Sequence, residues 1–131
     1  MRAGGLVGLA LVIAVGGVLT SACEPSRNPN YIPGSYGARE SGLALRTGGA
    51  DCAASPGPAT CPEVLLSLRE GQRVYPICQR RGQLVESNAW WLYADGPRGK
   101  RGWVSSWYLD HPTNRLPGVP TCTSDLIRPR R

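Results

Sequence analysis

Hydrophobic residues along this chain fall into three successive regimes. Leu6 to Leu19 is an unbroken run of uncharged residues dominated by Leu, Val, Ile, Ala and Gly, preceded by Arg2 and closed by Thr20-Ser21-Ala22-Cys23. Glu24 to Ser41 carries Pro25, Pro29, Pro33, Asn28, Asn30, Gly34 and Gly37, with scarcely an aliphatic side chain beyond Ile32. Such a stretch cannot bury a core, and it predicts a tether over residues 23–41 whose reach from Glu24, fully extended, is about 60 Å. Tyr31 and Tyr36 are the only side chains in it with much contact potential. From Leu43 onward, short apolar runs alternate with turn residues, the pattern of a small β domain.

Leu43 to Arg46 is the first predicted strand, and Cys52 to Pro62 reads as a loop rich in Pro, Ala and Ser. Val64 to Leu68 and Arg73 to Gln79 flank Arg69-Glu70-Gly71-Gln72, a turn in which Gly71 can take a positive φ, so they predict a hairpin. Pro76 assigns the second of these strands to an edge or a bulge, because proline donates no ladder hydrogen bond. Trp90 to Ala94 follows, then a polar loop from Asp95 to Gly102, a strand Trp103 to Ser105, and a short 3₁₀ turn over Ser106 to Leu109. No stretch sustains helical periodicity. About five short strands without a covering helix should curl on themselves, so the expected class is all-β, a small barrel over residues 42–122 followed by a basic tail, 123–131.

Length and composition narrow this further. With 131 residues, 17 Gly and 12 Pro, the chain holds one small domain, which excludes a large multi-domain enzyme. Hydrophobic residues make up 41% and charged residues 18%, too apolar for a disordered chain. The first regime reads as an export signal over residues 1–22: a minimal positive end at Arg2, an apolar centre, five glycines across the stretch that dilute its hydrophobicity, and small residues at its close. An uncleaved anchor helix is the other reading, and either leaves the chain beyond Cys23 outside the cytoplasm. Disulfides persist in that setting. Apart from Cys23 there are four cysteines, Cys52, Cys61, Cys78 and Cys122, which allow three pairings. The expected one closes the short Cys52–Cys61 loop and leaves Cys78–Cys122 as a long-range staple.

Ser21-Ala22-Cys23 resembles the lipobox of bacterial lipoproteins. That resemblance implies cleavage after Ala22, a lipid on Cys23, and anchoring at the outer face of the cytoplasmic membrane; ordinary signal cleavage would instead release a secreted, soluble protein. Further on, Leu43-Ala44-Leu45-Arg46-Thr47-Gly48 looks like the opening Leu-x-Val-Arg-x-Gly of bacterial SH3-like (SH3b) domains. Leu68-Arg69-Glu70-Gly71-Gln72-Arg73-Val74 is similar to their Leu-x-x-Gly-x-x-Val hairpin, and Gly102-Trp103-Val104 with Tyr108-Leu109 resembles their closing Gly-Trp-Val-x-x-x-Tyr-Leu. The resemblance runs from Leu43 to about Leu109 and implies an SH3-like barrel. It extends to Cys122 if compared with exported variants in which a cysteine ending the hairpin, like Cys78, accompanies one after the last strand. The Cys52 to Cys61 insertion departs from the family.

Candidate chemistry is concentrated near the end of the domain. Six of the nine aromatic residues lie between Trp90 and Tyr108. Strand alternation puts Trp90, Leu92 and Ala94 on one face and Trp91 and Tyr93 on the other. Trp103 and Leu92 are expected in the core, and Trp91, Tyr93, Trp107 and Tyr108 as an exposed platform for peptide or sugar. Arg98 and Arg101, in the adjoining basic loop, complete the expected ligand site. Loss of Arg2 with the signal leaves 14 basic and 9 acidic residues, suited to anionic partners outside the cell; export argues against nucleic acid.

No spacing of Asp and Glu predicts a catalytic pair, and Gly96-Pro97-Arg98-Gly99-Lys100 lacks the length and following helix of a phosphate loop. His111 is the only histidine and no Cys-x-x-Cys occurs, so neither zinc nor a catalytic thiol is expected, nor any cofactor. What the resemblances imply is a non-catalytic binding module of an envelope lipoprotein, recognising cell-wall peptide (peptidoglycan) or an envelope protein partner. The alternative is an accessory subunit of an envelope complex, its aromatic face permanently buried.

Overall fold

A computed structural model describes residues 34–111 and 114–128. The strands are β1 (Tyr36–Gly37), β2 (Leu43–Thr47), β3 (Glu63–Leu68), β4 (Arg73–Val85), β5 (Asn88–Asp95) and β6 (Arg101–Ser105). A one-turn helix α1 (Ala50–Ala54) and 3₁₀ turns at Pro97–Gly99 and Ser106–Tyr108 complete the elements. The strands form one curled antiparallel half-barrel in the order β1-β4-β5-β6-β2-β3. The all-β class and the strands expected from the hydrophobic pattern are therefore present.

Three expectations change. First, β3 and β4 do not form a hairpin. Leu43 and Leu45 of β2 align with Leu68 and Leu66 of β3, bringing their apolar sides together, while β4 takes β5 and β1 as partners. The Arg69–Gln72 link turns as expected, with Gly71 at φ +84° and the Gln72 side chain accepting from Arg69 N at 2.7 Å. It spans the two ends of the sheet instead of closing a ladder. Pro76 does mark a register shift, between Pro76 and Cys78.

Second, the domain begins earlier than residue 42. Ser35 and Ala38 are buried, β1 pairs with β4, and Ala38 bridges to Leu109. Arg73 holds this segment by donating from Nε to Ser35 Oγ at 2.8 Å, and Asp110 accepts from Gly37 N at 2.8 Å. Hydrogen bonds together with Ala38 in the core and Tyr36 packed against it hold this segment, and its sparse aliphatic content gave no hydrophobic pattern to read. The remaining tether residues and the expected signal lie outside the described residues. Third, the stretch expected as a loop from Cys52 opens with the second half of α1, and residues 123–128 belong to the domain, because Leu126 and Ile127 pack on its interior.

Two cores result, one on each face of β5. The first gathers Leu43, Leu45, Leu68, Val74, Leu92, Ala94, Val104, Leu109 and Leu116. The second gathers Trp91, Tyr93 and Trp103 with all four cysteines of the domain. Both expected bridges, Cys52–Cys61 and Cys78–Cys122, are formed. The loop of the first lies against β4, with Gln83 N donating to Pro56 O at 2.8 Å; a Cβ at Gly82 would stand 2.1 Å from that same oxygen, so only glycine fits there.

Beside the second bridge, Gln79 is 1% exposed and fully hydrogen-bonded. Its Nε2 donates to Leu116 O and Val119 O, and its Oε1 accepts from Leu116 N, all at 2.8 Å. Its backbone N donates to Pro120 O and its carbonyl accepts from Cys122 N. Gln79→Leu removes the side-chain partner of Leu116 N and Val119 O, and one of the two donors to Leu116 O, which keeps Val119 N at 3.5 Å, and should cost about 3 kcal/mol. Cys78→Ser, which opens a loop of 44 residues, should cost about 4 kcal/mol in the loop-entropy model. Urea unfolding measures both, and parent-like midpoints would remove this latch from the account of stability.

Candidate functional site

The residues expected to form an aromatic platform are not brought together. Trp91 and Tyr93 are buried, at 2% and 4% exposure, because the second core covers the face of β5 that alternation had left for solvent. Trp91 Nε1 donates to Gln83 O at 2.8 Å, and the Tyr93 and Trp103 rings lie 5.0 Å apart. Leu92 and Trp103 are core residues, as expected. Burial pushes the Tyr93 phenol above its usual pKa; Arg101 opposes that shift and Asp95 adds to it.

The half-buried tryptophans are capped by arginines. The Arg39 guanidinium sits 5.1 Å from the centre of the Trp107 ring and also donates to Trp107 O. Trp90 is flanked by Arg81 at 5.7 Å and Arg115 at 5.3 Å. Arg101, expected to meet a ligand, is committed inside the fold. Its Nε and Nη2 donate to the two oxygens of Asp95 at 2.8 and 3.1 Å, and its Nη1 donates to Arg128 O. The hydrogen bond to Asp95 raises its pKa further. Arg98 is exposed but lines a separate depression with Leu65, Ser67, Arg69 and Gln72.

Of the expected ligand residues, Trp91 and Tyr108 share a concavity among the described residues. It is a groove of about 340 Å³ whose walls are Leu43, Ala44, Pro58, Val85, Trp91 and Tyr108. Tyr108 is half-buried, packed on the first core, and enters the groove because the 3₁₀ turn after β6 redirects the chain; Ser105 Oγ caps that turn by accepting from Trp107 N. Glu40, just before β2, and Arg46, near the end of β2, add opposite charges to its lining. Arg46 Nη1 donates to Cys61 O at 3.3 Å, tying the groove to the first disulfide loop.

Glu40, Ala44, Arg46, Pro58 and Val85 were not anticipated as site residues. Alternation in β2 carried part of the signal: Leu43 and Leu45 are buried while Ala44 and Arg46 are half-buried. Pro58 and Val85 are 27 positions apart and meet only in the fold. The four bridged cysteines serve structure, and His111 stacks edge-on against Tyr36 at 5.0 Å. Cys23 lies outside the described residues.

Among the described residues no helix is long and apolar enough to cross a membrane. The disulfides point to an oxidising, exported environment. No protein-family model, curated protein or solved structure matches this chain.

Trp91→Ala should remove core volume and cost about 3–5 kcal/mol in denaturant unfolding; a stable variant would mean the ring is dispensable. Tyr93 has a separate pH signature. Its folded pKa lies above the ordinary 10.0, so the neutral phenol is favoured in the native state. Its stabilising contribution is whole below pH 10 and is lost as pH rises through the folded value. Phenolate absorbance should show a late-titrating component in the native protein that is lost in Tyr93→Phe.

Proposed function

We propose that this chain is an exported, membrane-anchored lipoprotein whose SH3b-like domain binds, without catalysing, a short peptide of the cell wall in the groove beside Tyr108. The observation that carries the reading is the composition of that groove: apolar and aromatic walls with one carboxylate and one guanidinium in the lining. Wall peptides combine aliphatic side chains with carboxylates and, commonly, a free amine. Arg46 would pair with a carboxylate, Glu40 with an ammonium, and Tyr108 would supply contact area with a hydroxyl for hydrogen bonding. The excess of basic residues would draw the domain toward anionic wall polymers. Two disulfides and the lipobox-like end of the apolar leader support an extracytoplasmic setting.

The binding element on this reading is the groove and not an aromatic face, since Trp91 contributes a wall from within the core. A partner protein using the same groove would have to present an extended, mixed-charge segment. Retention of the full-length protein, held in detergent, on purified peptidoglycan tests the proposal. Ala44→Arg should fill the groove and Arg46→Glu should repel carboxylates, each lowering retention at least about tenfold with an unchanged unfolding midpoint. Trp107→Ala, outside the groove lining, should be retained like the parent. Equal retention of parent and both groove variants, or none by the parent, would overturn the proposal.

A further inference from the structure

We infer that the depression between the β3–β4 link and the β5–β6 turn is a binding site for a phosphate ester, held by Arg69 and Arg98. The hollow has a volume of about 390 Å³, and both arginines line it together with Ser67 and Gln72. Leu65, Leu66 and Pro97 complete the lining, which includes no carboxylate. The Arg69 and Arg98 side chains are exposed and make no ion pair or hydrogen bond among the described residues. Arg73 and Arg101, by contrast, are each paired with an aspartate inside the fold. Two full positive charges therefore stand at one hollow with no counter-ion in its walls, and an anion is the complement they lack.

The backbone on both sides is arranged to present these donors. Arg98 has φ +60°, in the left-handed region that side chains rarely adopt, within a turn closed by Lys100 N donating to Pro97 O at 3.2 Å. Glycine would take that conformation freely, so an arginine kept there points to use of its side chain. In the facing link, Arg69 N donates to Gln72 Oε1 at 2.7 Å and Gln72 N to Arg69 O at 2.9 Å. With its oxygen engaged, the Gln72 amide still has Nε2 to donate. The β3 ladder passes from Leu66, opposite Leu45, to Val64, opposite Arg46, and so leaves Leu65 as a bulge beside the hollow. A Cβ at Gly102 would stand 3.1 Å from Leu65 Cδ1, so that leucine lies against β6. One guanidinium satisfies a planar carboxylate bidentately, whereas two of them with an amide and a hydroxyl suit the several oxygens of a tetrahedral phosphate. The leucines and Pro97 give apolar contact to the carbon chain of the ester. No residue is shared with the lining of the groove beside Tyr108.

The test is calorimetric titration of the full-length protein, held in neutral detergent, with glycerol 1-phosphate. The parent should bind it saturably, and succinate at least about tenfold more weakly. Arg69→Gln and Arg98→Gln should each weaken binding of the phosphate ester at least about tenfold. Arg98→Gly should lose binding to the same extent while its unfolding midpoint stays at or above the parent's, because glycine relieves the left-handed backbone. Short-chain phosphatidylglycerol and soluble poly(glycerol phosphate) are then competed against glycerol 1-phosphate, the stronger competitor identifying the source as membrane or wall. Absence of saturable binding by the parent would overturn the inference, as would equal binding of succinate or indifference to both glutamine substitutions. Ala44→Arg, which fills the groove, should bind glycerol 1-phosphate like the parent, so the two sites succeed or fail separately.

Discussion

Gln79 and the adjoining Cys78–Cys122 bridge hold residues 116–122 along β4, and the burial of β5 on both faces depends on that attachment. A small half-barrel has one interior, enough to cover one side of its central strand. Here the second side is covered by added material: the disulfide-closed loop with α1, and the C-terminal segment ending in Leu126 and Ile127. Neither addition carries enough apolar area to stay in place unaided. The Cys78–Cys122 bridge ties the C-terminal segment to β4, the Cys52–Cys61 bridge closes the added loop on itself, and Gln79 pairs backbone groups of the C-terminal crossing.

This economy explains where the aromatic residues went. A chain without Phe uses Trp91, Trp103 and Tyr93 to fill the space around its sulfurs, and places arginines over the tryptophans that remain partly exposed. Arg101 is likewise spent on Asp95 and the carbonyl of Arg128. On the proposed reading, recognition falls to the groove between β2, the disulfide loop and the turn carrying Tyr108, where contact area and charge occur together. The loop that departs from the SH3b pattern thereby borders the proposed site: Pro58 lines the groove and the carbonyl of Cys61 steadies Arg46. A groove that binds peptide needs fixed walls, and its walls come from strands and a capped 3₁₀ turn.

Local residue pattern determined much of the architecture. Short alternating runs bounded by turn residues located the strands, Gly71 and Pro76 marked a turn and a bulge, and an even set of cysteines with one short spacing indicated both bridges. Those signals are local, so they were legible without the fold. Pairing partners were not, because β3 and β4 are neighbours in sequence and far apart in strand order, and the preference of β3 for β2 depends on matching leucines across the sheet. Exposure was not legible either. Alternation separates the two faces of β5 but says nothing of what lies over each, and part of the cover comes from Cys52, Cys61 and Cys122, distant in sequence. The same distance effect decided the groove, whose walls from β2, Pro58, Val85 and Tyr108 exist only once the half-barrel has curled.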